Sequence, residues 1–207
     1  MKSRRRYIQY IAGIILIACS FTSVADENGA VAVVENFHSS LLNIMKNADS
    51  LQFQGRYDTL APVLESTFDT PLIAQVILSR YWSDLNEEQQ DQFVDLFNRL
   101  SISTYAYRFD SYSGESFKTT GIEELKRGRL LIKTEMARQN EKPVKFDYLV
   151  HQNDGNWYII SVIADGINDI SLKRAEYVAI VSDKGFDNLV IEIENKIREM
   201  GGPSTNI

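Results

Sequence analysis

The sequence predicts an α+β fold, in which a four-stranded antiparallel sheet packs against N- and C-terminal helices that enclose an apolar pocket. Three observations support this prediction. Apolar residues recur at helical spacing from residue 31 to 109, alternate with polar residues from 116 to 164, and return to helical spacing after Gly166. We therefore expect a single domain over residues 26–200, preceded by a signal peptide at 1–25 and followed by a flexible tail at 201–207.

Residues 1–25 have the pattern of a signal peptide. Four basic residues lie within residues 2–6, a short apolar run covers residues 8–18, and Ser-Val-Ala at residues 23–25 is a cleavage pattern. We expect export and cleavage after Ala25. An alternative is a lipobox ending at Cys19, in which the cysteine is acylated and tethers the protein to a membrane. The apolar run is too short to predict a membrane span.

The first half of the mature chain predicts four helices. An amphipathic helix covers residues 31–45, and a short second helix is expected near residues 57–68, where Pro62 is tolerable only near the first turn. Asp-Thr-Pro at residues 69–71 starts a third helix that runs to about Tyr81. Residues 86–89 form a capping box, behind which an apolar face continues to Phe109.

After Gly114 the hydrophobic period changes from 3.6 to 2 residues, which predicts strands. Their ranges are 116–120, 129–137, 144–151 and 157–164, and the short polar turns between the last three predict an antiparallel meander. Asp165-Gly166 then turns the chain into a helix over 171–182, for which Asp169 or Ser171 is the candidate cap. Gly185 precedes a closing helix over 186–200.

Charge and cysteine content exclude several kinds of protein. Cleavage after Ala25 would remove four basic residues and no acid, leaving 182 of 207 residues and moving the formal net charge from −6 to −10. Nucleic acid would repel such a chain, so we exclude it as a partner. Cys19 is the only cysteine, so no disulfide is expected and stability must come from packing.

Catalytic and metal-binding patterns are weak. His38 lies on a predicted helix and His151 on the polar side of a strand, and no nucleophile elbow, metal-ligand spacing or phosphate-binding glycine loop accompanies them. Asp165 and Asp169 form a possible carboxylate pair, but aspartates beside a glycine turn usually cap the helix that follows. The sequence therefore indicates a non-enzyme with no cofactor and no metal, and a hydrolase using Asp165 stays a minor alternative.

Aromatic residues are frequent between residues 81 and 112 and again on the strands between 146 and 158. A packed core is the simpler interpretation. A cavity lined by the same residues is the functional one, because ligand pockets are mostly apolar with few polar groups. Both interpretations remain open on composition alone.

The order of several motifs resembles a known family. Residues 56–64 (RYDTLAPVL), 76–82 (VILSRYW) and 85–93 (LNEEQQDQF) are similar to the MlaC or toluene-tolerance family of periplasmic lipid-binding proteins. Residues 164–167 (ADGI) and 185–189 (GFDNL) agree with the C-terminal half of that family. The likeness covers nearly the whole mature chain.

Within that family the chain is most similar to the hopanoid-associated HpnM branch. Asp165-Gly166 followed by residues 172–177 (LKRAEY) carries this likeness. Two positions depart from the family pattern: Ser161, where family strands often carry Asp, and Asn168, where many members have Ser.

The resemblance implies a periplasmic, non-enzymatic carrier that takes the apolar part of a phospholipid or hopanoid between sheet and helices. It implies exchange with inner- and outer-membrane lipid transport complexes, and thus outer membrane maintenance, and we expect a monomer. The candidate lipid-binding residues are Val76, Trp82, Phe97, Tyr105, Phe109, Ile132, Phe146, Tyr148, Ile159 and Ile167. The alternative is an adaptor that docks a membrane transport complex through its acidic surface.

Overall fold

The computed structural model describes residues 23–203, with side chains from residue 27 onward. Its helices are α1 (Ser23–Lys46), α2 (Ala48–Thr67), α3 (Thr70–Leu78), α4 (Glu87–Arg108), α5 (Asp169–Lys184) and α6 (Phe186–Glu199), with 3-10 helices at Ser79–Asp84 and Lys126–Gly128. Its strands are β1 (Ser116–Leu125), β2 (Arg129–Ala137), β3 (Val144–Asn153), β4 (Asn156–Ala164) and β5 (Ile167–Asn168).

Part of the predicted organisation falls outside this range. Cys19 and residues 1–22 of the predicted signal peptide lie outside the described residues, as do residues 204–207 of the predicted tail. Cleavage after Ala25 stays a prediction. Over residues 23–203, no helix combines the length and the apolar character needed to cross a membrane.

The five strands form one antiparallel sheet in the order β1-β2-β3-β4-β5. The α+β class and the meander of the first four strands are confirmed, but the prediction of four strands was wrong. Asp165 (φ 47°) and Gly166 (φ 83°) form a two-residue turn with two positive φ angles, which suits a tight hairpin. Ile167 therefore pairs with Ala164 as a fifth strand before α5 begins.

Two predicted helix starts are confirmed by their caps. Asp69 Oδ1 accepts a hydrogen bond from the backbone N–H of Leu72 at 3.1 Å. Asn86 and Gln89 form the reciprocal capping box, with bonds of 2.9 and 3.1 Å. For α5, the predicted caps Asp169 and Ser171 were wrong, because the Asn168 side chain accepts from the Ser171 N–H instead.

The predicted bounds of the second helix were also wrong. Helix α2 begins at Ala48 and bends at Gln52, whose φ of 52° is non-helical. Pro62 consequently lies inside the helix rather than in its first turn. Buried Arg56 ties α2 to α4, because its Nε donates to the Ala106 carbonyl at 2.8 Å.

The core consists of two apolar clusters. The sheet cluster packs α1, α2 and the C-terminal half of α4 against the sheet; it includes Phe37, Leu60, Ile102, Ile132 and Ile159. The helix cluster packs α3, the N-terminal half of α4, α5 and α6 together; it includes Ile77, Phe93, Tyr177, Leu189 and Ile193. Phe68 packs against both clusters. Helix α4 runs without interruption through both of them.

Candidate functional site

A group of aromatic rings lies where α1 and α4 face the sheet. The aromatic group consists of Phe37, Phe68, Tyr105 and Phe109. The Phe37 ring meets those of Phe68 and Tyr105 edge-on, with centroids 5.2 and 5.0 Å apart, and Tyr105 stacks with Phe109 at 5.9 Å. These are favourable geometries for aromatic pairs, so the group is a well-packed apolar surface.

Tyr105 is the member of the aromatic group that carries a hydroxyl. Its side chain is partly buried. Burial raises the pKa of this hydroxyl well above the ordinary value, so the group stays protonated at physiological pH.

A row of polar side chains runs along the inner face of α5. The α5 polar row consists of Asp169, Lys173 and Tyr177, which lie at i, i+4 and i+8 and so share one face of the helix. The row faces α4: Lys173 Nζ lies 6.0 Å from the centroid of the Phe97 ring, and the Tyr177 ring meets Phe93 edge-on at 6.4 Å. Polar groups are thus inserted beside the helix cluster.

Desolvation dominates the electrostatics of this row. Burial raises the pKa of Asp169 and lowers that of Lys173, and in each case the opposite charge of the other residue works against the shift. Burial also raises the pKa of the Tyr177 hydroxyl. Within the described part of the chain, Asp169 Oδ1 and the Tyr177 hydroxyl are buried without a hydrogen-bond partner. Such atoms carry an uncompensated desolvation cost.

The aromatic group and the α5 polar row are linked through the helix cluster. Phe68 of the aromatic group packs against this cluster, to which Phe97 and Tyr177 belong. The charge of Asp169 adds to the effect of burial in raising the pKa of Tyr105, and Arg108 acts on both residues. The region where the two clusters adjoin is called the seam below. It is formed by Phe68, Phe97, Tyr105 and the α5 polar row. Its chemistry is amphipathic, with aromatic walls and a few desolvated polar groups.

The sequence-predicted residues divide between the clusters. Six lie in or against the sheet cluster: Tyr105, Phe109, Ile132, Phe146, Tyr148 and Ile159. Trp82 and Phe97 lie in the helix cluster. Val76 and Ile167 are 43% and 58% exposed and lie on the surface. A role of any of the ten in lipid binding stays a prediction.

The α5 polar row was missed by sequence reasoning. Asp169 was interpreted as a cap, Tyr177 was placed only among the helically spaced residues after Gly166, and Lys173 was given no role in the site. The available signal was their spacing of four residues, together with the preceding Asp169, in a helix expected to pack against α4. A lysine at such a position is ordinarily assigned to the solvent face.

The two histidines have packing roles. The ring of buried His38 stacks on Phe117 at 4.0 Å, and its Nε2 lies 2.9 Å from the Tyr148 hydroxyl. Burial lowers the pKa of His38 to about 4, so the imidazole is neutral at physiological pH. His151 Nε2 lies 2.8 Å from Oδ2 of Asp69, the residue that caps α3.

Asp165 also has a structural role. Its Oδ1 accepts a hydrogen bond from the backbone N–H of Lys145 at 3.0 Å, and its own N–H donates to the Lys145 carbonyl at 2.9 Å. These bonds close the β4–β5 hairpin against β3. Among the residues whose side chains are described, no group of three His, Cys, Asp or Glu is arranged to hold a metal ion.

Two surface grooves flank these elements. One groove, of about 420 Å³, lies between the 3-10 helix Ser79–Asp84 and α5. Its lining residues are Ser79, Arg80, Ser171, Arg174, Ala175 and Val178. The other, of about 370 Å³, lies between α2, α3 and α4, and Phe68 of the aromatic group lines it. Both are open to solvent. The enclosed apolar pocket between sheet and helices stays a prediction.

Comparison with known proteins identifies the family. The model of the MlaC protein family matches residues 35–195, which is most of the chain. The fold is similar to that of a phospholipid-binding protein from Ralstonia solanacearum, solved in complex with a phospholipid, with a TM-score of 0.73 and 19% sequence identity. The match covers 83% of this chain and 98% of the Ralstonia chain. This chain belongs to the MlaC family.

Proposed function

We propose that this protein binds a lipid at the seam and carries it between membrane-bound partners. The observation that carries the proposal is the position of the α5 polar row beside the aromatic rings of Phe93 and Phe97, an arrangement expected of a site for an amphipathic ligand. Membership of the MlaC family supports it, as does the similar fold of a protein described in complex with a phospholipid.

Burial of apolar surface alone can supply the free energy of lipid binding, so this function requires no catalytic group. Burying apolar ligand surface yields roughly 25 cal/mol per Å², so several hundred Å² of lipid tail would contribute on the order of 10 kcal/mol before ordering costs. The tail would lie against the aromatic group, and the head would stay near the surface. The two buried polar atoms of Asp169 and Tyr177 that lack partners would gain contacts to the ligand.

The proposal also specifies the ligand, the compartment, the partners and the oligomeric state. The ligand is a phospholipid or a hopanoid-type lipid, the compartment is the periplasm, and the partners are inner- and outer-membrane transport complexes. The protein acts as a monomer. Because its net charge is negative, it does not adhere to anionic bilayers, and delivery depends on docking to those partners.

Ligand identification tests the binding step. The protein is purified without detergent, extracted with organic solvent, and the extract is examined by mass spectrometry. We expect lipid in about equimolar amount. A lipid-free extract, together with no uptake of added phospholipid or hopanoid, would contradict the proposal and favour the adaptor alternative.

A transfer assay tests the carrier step. Loaded protein is incubated with lipid-free acceptor vesicles, with and without the membrane fraction of a cell envelope. We expect slow transfer to anionic vesicles alone and faster transfer when envelope membranes are present. Rapid transfer to bare anionic vesicles would contradict dependence on a docking partner.

A further inference from the structure

The arginine groove is the open groove of about 420 Å³ between the 3-10 helix Ser79–Asp84 and α5. Among the described residues, Arg80 and Arg174 line it and no carboxylate does. Neither arginine makes an ion pair with any residue that the structure describes. The whole sequence has 28 acidic residues against 22 lysines and arginines, so two unpaired guanidinium groups in one groove reverse the prevailing charge locally.

A neutral neighbour positions each guanidinium group. Arg174 Nη2 donates to Ser79 Oγ at 2.8 Å. Arg80 Nη2 donates to the Tyr81 hydroxyl at 3.0 Å, and its guanidinium carbon lies 4.9 Å from the centroid of the Tyr81 ring. Since a guanidinium group has several N–H donors, most of them remain for an acceptor outside the chain. Because both groups are already held in place, a ligand would bind them with less loss of side-chain entropy.

Ser79 has a backbone conformation that favours glycine. At the junction of α3 and the 3-10 helix, its φ is 54° and its ψ is −122°. A side chain in this region is strained, and strained residues are often found at functional sites. The Ser79 hydroxyl contacts Arg174, a contact that glycine could not make. The strain thus accompanies a side chain that orients a guanidinium group in the groove.

The chemistry of the groove selects a protein segment that carries carboxylates. Guanidinium groups bind carboxylates through two parallel hydrogen bonds. Ala175 and Val178 add apolar surface to the groove, and Leu172, next to Ser171 of its lining, is 59% exposed. Arginines beside exposed apolar side chains are typical of protein–protein interfaces. A groove between two helical elements accepts an extended chain, whereas an anionic bilayer is flat and would also meet the net negative charge of the protein.

We propose that the arginine groove docks an extended acidic segment of a partner protein, with Arg80 and Arg174 each binding a carboxylate of that segment. This inference rests on the proposed function for the existence of a membrane-bound partner, and it specifies the surface and the chemistry of docking. A partner seated in the groove would contact α5, the helix that also carries the α5 polar row at the seam.

A peptide titration tests the charge selectivity of the groove. The probe is a dye-labelled peptide of eight residues that alternates glutamate and alanine, and the same peptide with glutamine in place of glutamate is the uncharged comparison. Fluorescence anisotropy measures binding to the full mature protein. Arg80→Gln and Arg174→Gln should each weaken binding of the glutamate peptide by about tenfold, and the glutamine peptide should not bind. Failure of the wild type to bind the glutamate peptide would overturn the proposal.

Two further arginine variants separate the groove from general charge. Arg174→Lys keeps the charge but not the planar fork, so it should recover part of the affinity. Arg127→Gln is the matched control, because Arg127 is an exposed arginine in the 3-10 helix between β1 and β2. It should leave peptide binding unchanged. A loss equal to that of Arg174→Gln would mean that the peptide responds to net charge alone, which would overturn the groove as its site.

Ser79→Gly separates a role in binding from a role in folding. Glycine relieves the backbone strain, so the urea midpoint should rise, whereas loss of the hydroxyl releases Arg174 and should weaken peptide binding by about threefold. A residue with a purely structural role would not show this combination. Unchanged peptide binding would overturn the assignment of Ser79 to the site.

Native membranes identify the kind of partner. The protein is sedimented with intact envelope membranes, with the same membranes after protease treatment, and with phosphatidylglycerol vesicles. The wild type should co-sediment with intact membranes only, and the combined Arg80→Gln and Arg174→Gln variant should not co-sediment. Arginine-dependent binding to the vesicles would show that the occupant is a bilayer surface and would overturn the proposal.

The lipid content of the same preparations distinguishes failure of docking from failure of lipid binding. Wild-type protein that carried lipid but bound no acidic peptide would overturn the docking groove alone. Protein that bound the peptide through both arginines but carried no lipid would support the groove, and the proposed lipid-binding function would fail.

Discussion

Asn168 Nδ2 donates a hydrogen bond of 3.0 Å to Ser161 Oγ, so the two positions at which the family resemblance predicts a departure contact each other. Asn168 Oδ1 also accepts from the Ser171 N–H at 2.9 Å. One side chain therefore holds the β4–β5 hairpin and caps α5.

We expect Asn168→Ala to lower the free energy of unfolding by about 1–2 kcal/mol, because it removes both the cap and the bond to Ser161. Ser161→Ala removes only the bond and should cost about half as much. Urea denaturation measures both. Asn168→Ser keeps a capping oxygen and should recover most of the loss. Equal stability of Asn168→Ala and wild type would contradict the assigned cap.

Because burial lowers the pKa of His38, we expect the stability of the protein to depend on pH. Its pKa is about 4 in the native state and 6.5 in the unfolded chain, so between these values only the unfolded chain binds the proton. Stability should fall as the pH drops through this window, by about 3 kcal/mol in total, and His38 should contribute no penalty above pH 6.5.

His38→Gln isolates this contribution. Glutamine does not titrate, and its amide can still bond to the Tyr148 hydroxyl that His38 contacts. The difference in unfolding free energy between wild type and variant, measured by urea denaturation from pH 4 to 7.5, should change with pH across the window. A constant difference would contradict the prediction, because it would mean that His38 is protonated equally in both states.

The buried ion pair between α4 and α6 should be sensitive to loss of one partner. The Arg99 guanidinium holds the Glu194 carboxylate, with Nη1 3.3 Å from Oε2, and the glutamate side chain is 4% exposed. Glu194→Gln leaves Arg99 partly desolvated without this counter-charge and should cost about 3 kcal/mol. Glu192→Gln breaks the exposed pair that this α6 residue makes with Lys184 at the end of α5, and it should cost about 0.5 kcal/mol at most.

Lipid affinity measurements on variants should distinguish the predicted site residues that bind lipid from those that do not. Tyr105 lies at the seam, whereas Ile167 is on the surface. Tyr105→Ala should weaken lipid binding by about tenfold, because it removes aromatic contact surface, and Tyr105→Phe should retain it. Ile167→Ala should leave affinity unchanged. A loss in Ile167→Ala equal to that in Tyr105→Ala would move the site to the outer surface of the β4–β5 hairpin.

Much of the fold could be predicted because local chemistry determined it. The Asn86–Gln89 capping box and the alternation along β2 each admit one structure. The bend at Gln52 could not be predicted, since its positive φ is imposed on a residue with no preference for it. Asp165-Gly166 suits both a hairpin and a helix-leading turn, and only pairing with β4 decides between them.

The site was predictable only in part. Periodicity shows which residues face inward, and Ile132, Tyr148 and Ile159, which were predicted to bind lipid, are buried. It does not show whether an inward residue meets a packed core or a recess, because that depends on how α4 and α5 approach each other. Lys173 could not be recognised for a related reason. A long charged side chain is normally solvated, and its burial depends on the neighbouring helix.

The uninterrupted passage of α4 through both clusters determines how the protein loses its structure. Leu100 belongs to the helix cluster, and Ile102, half a turn later, belongs to the sheet cluster. If either cluster unfolds, α4 therefore loses part of the packing that stabilises it. Denaturation should therefore be one all-or-none transition rather than two. Cooperativity of this kind also means that a ligand bound at the seam would protect the remote strand β1 as fully as the helices it touches.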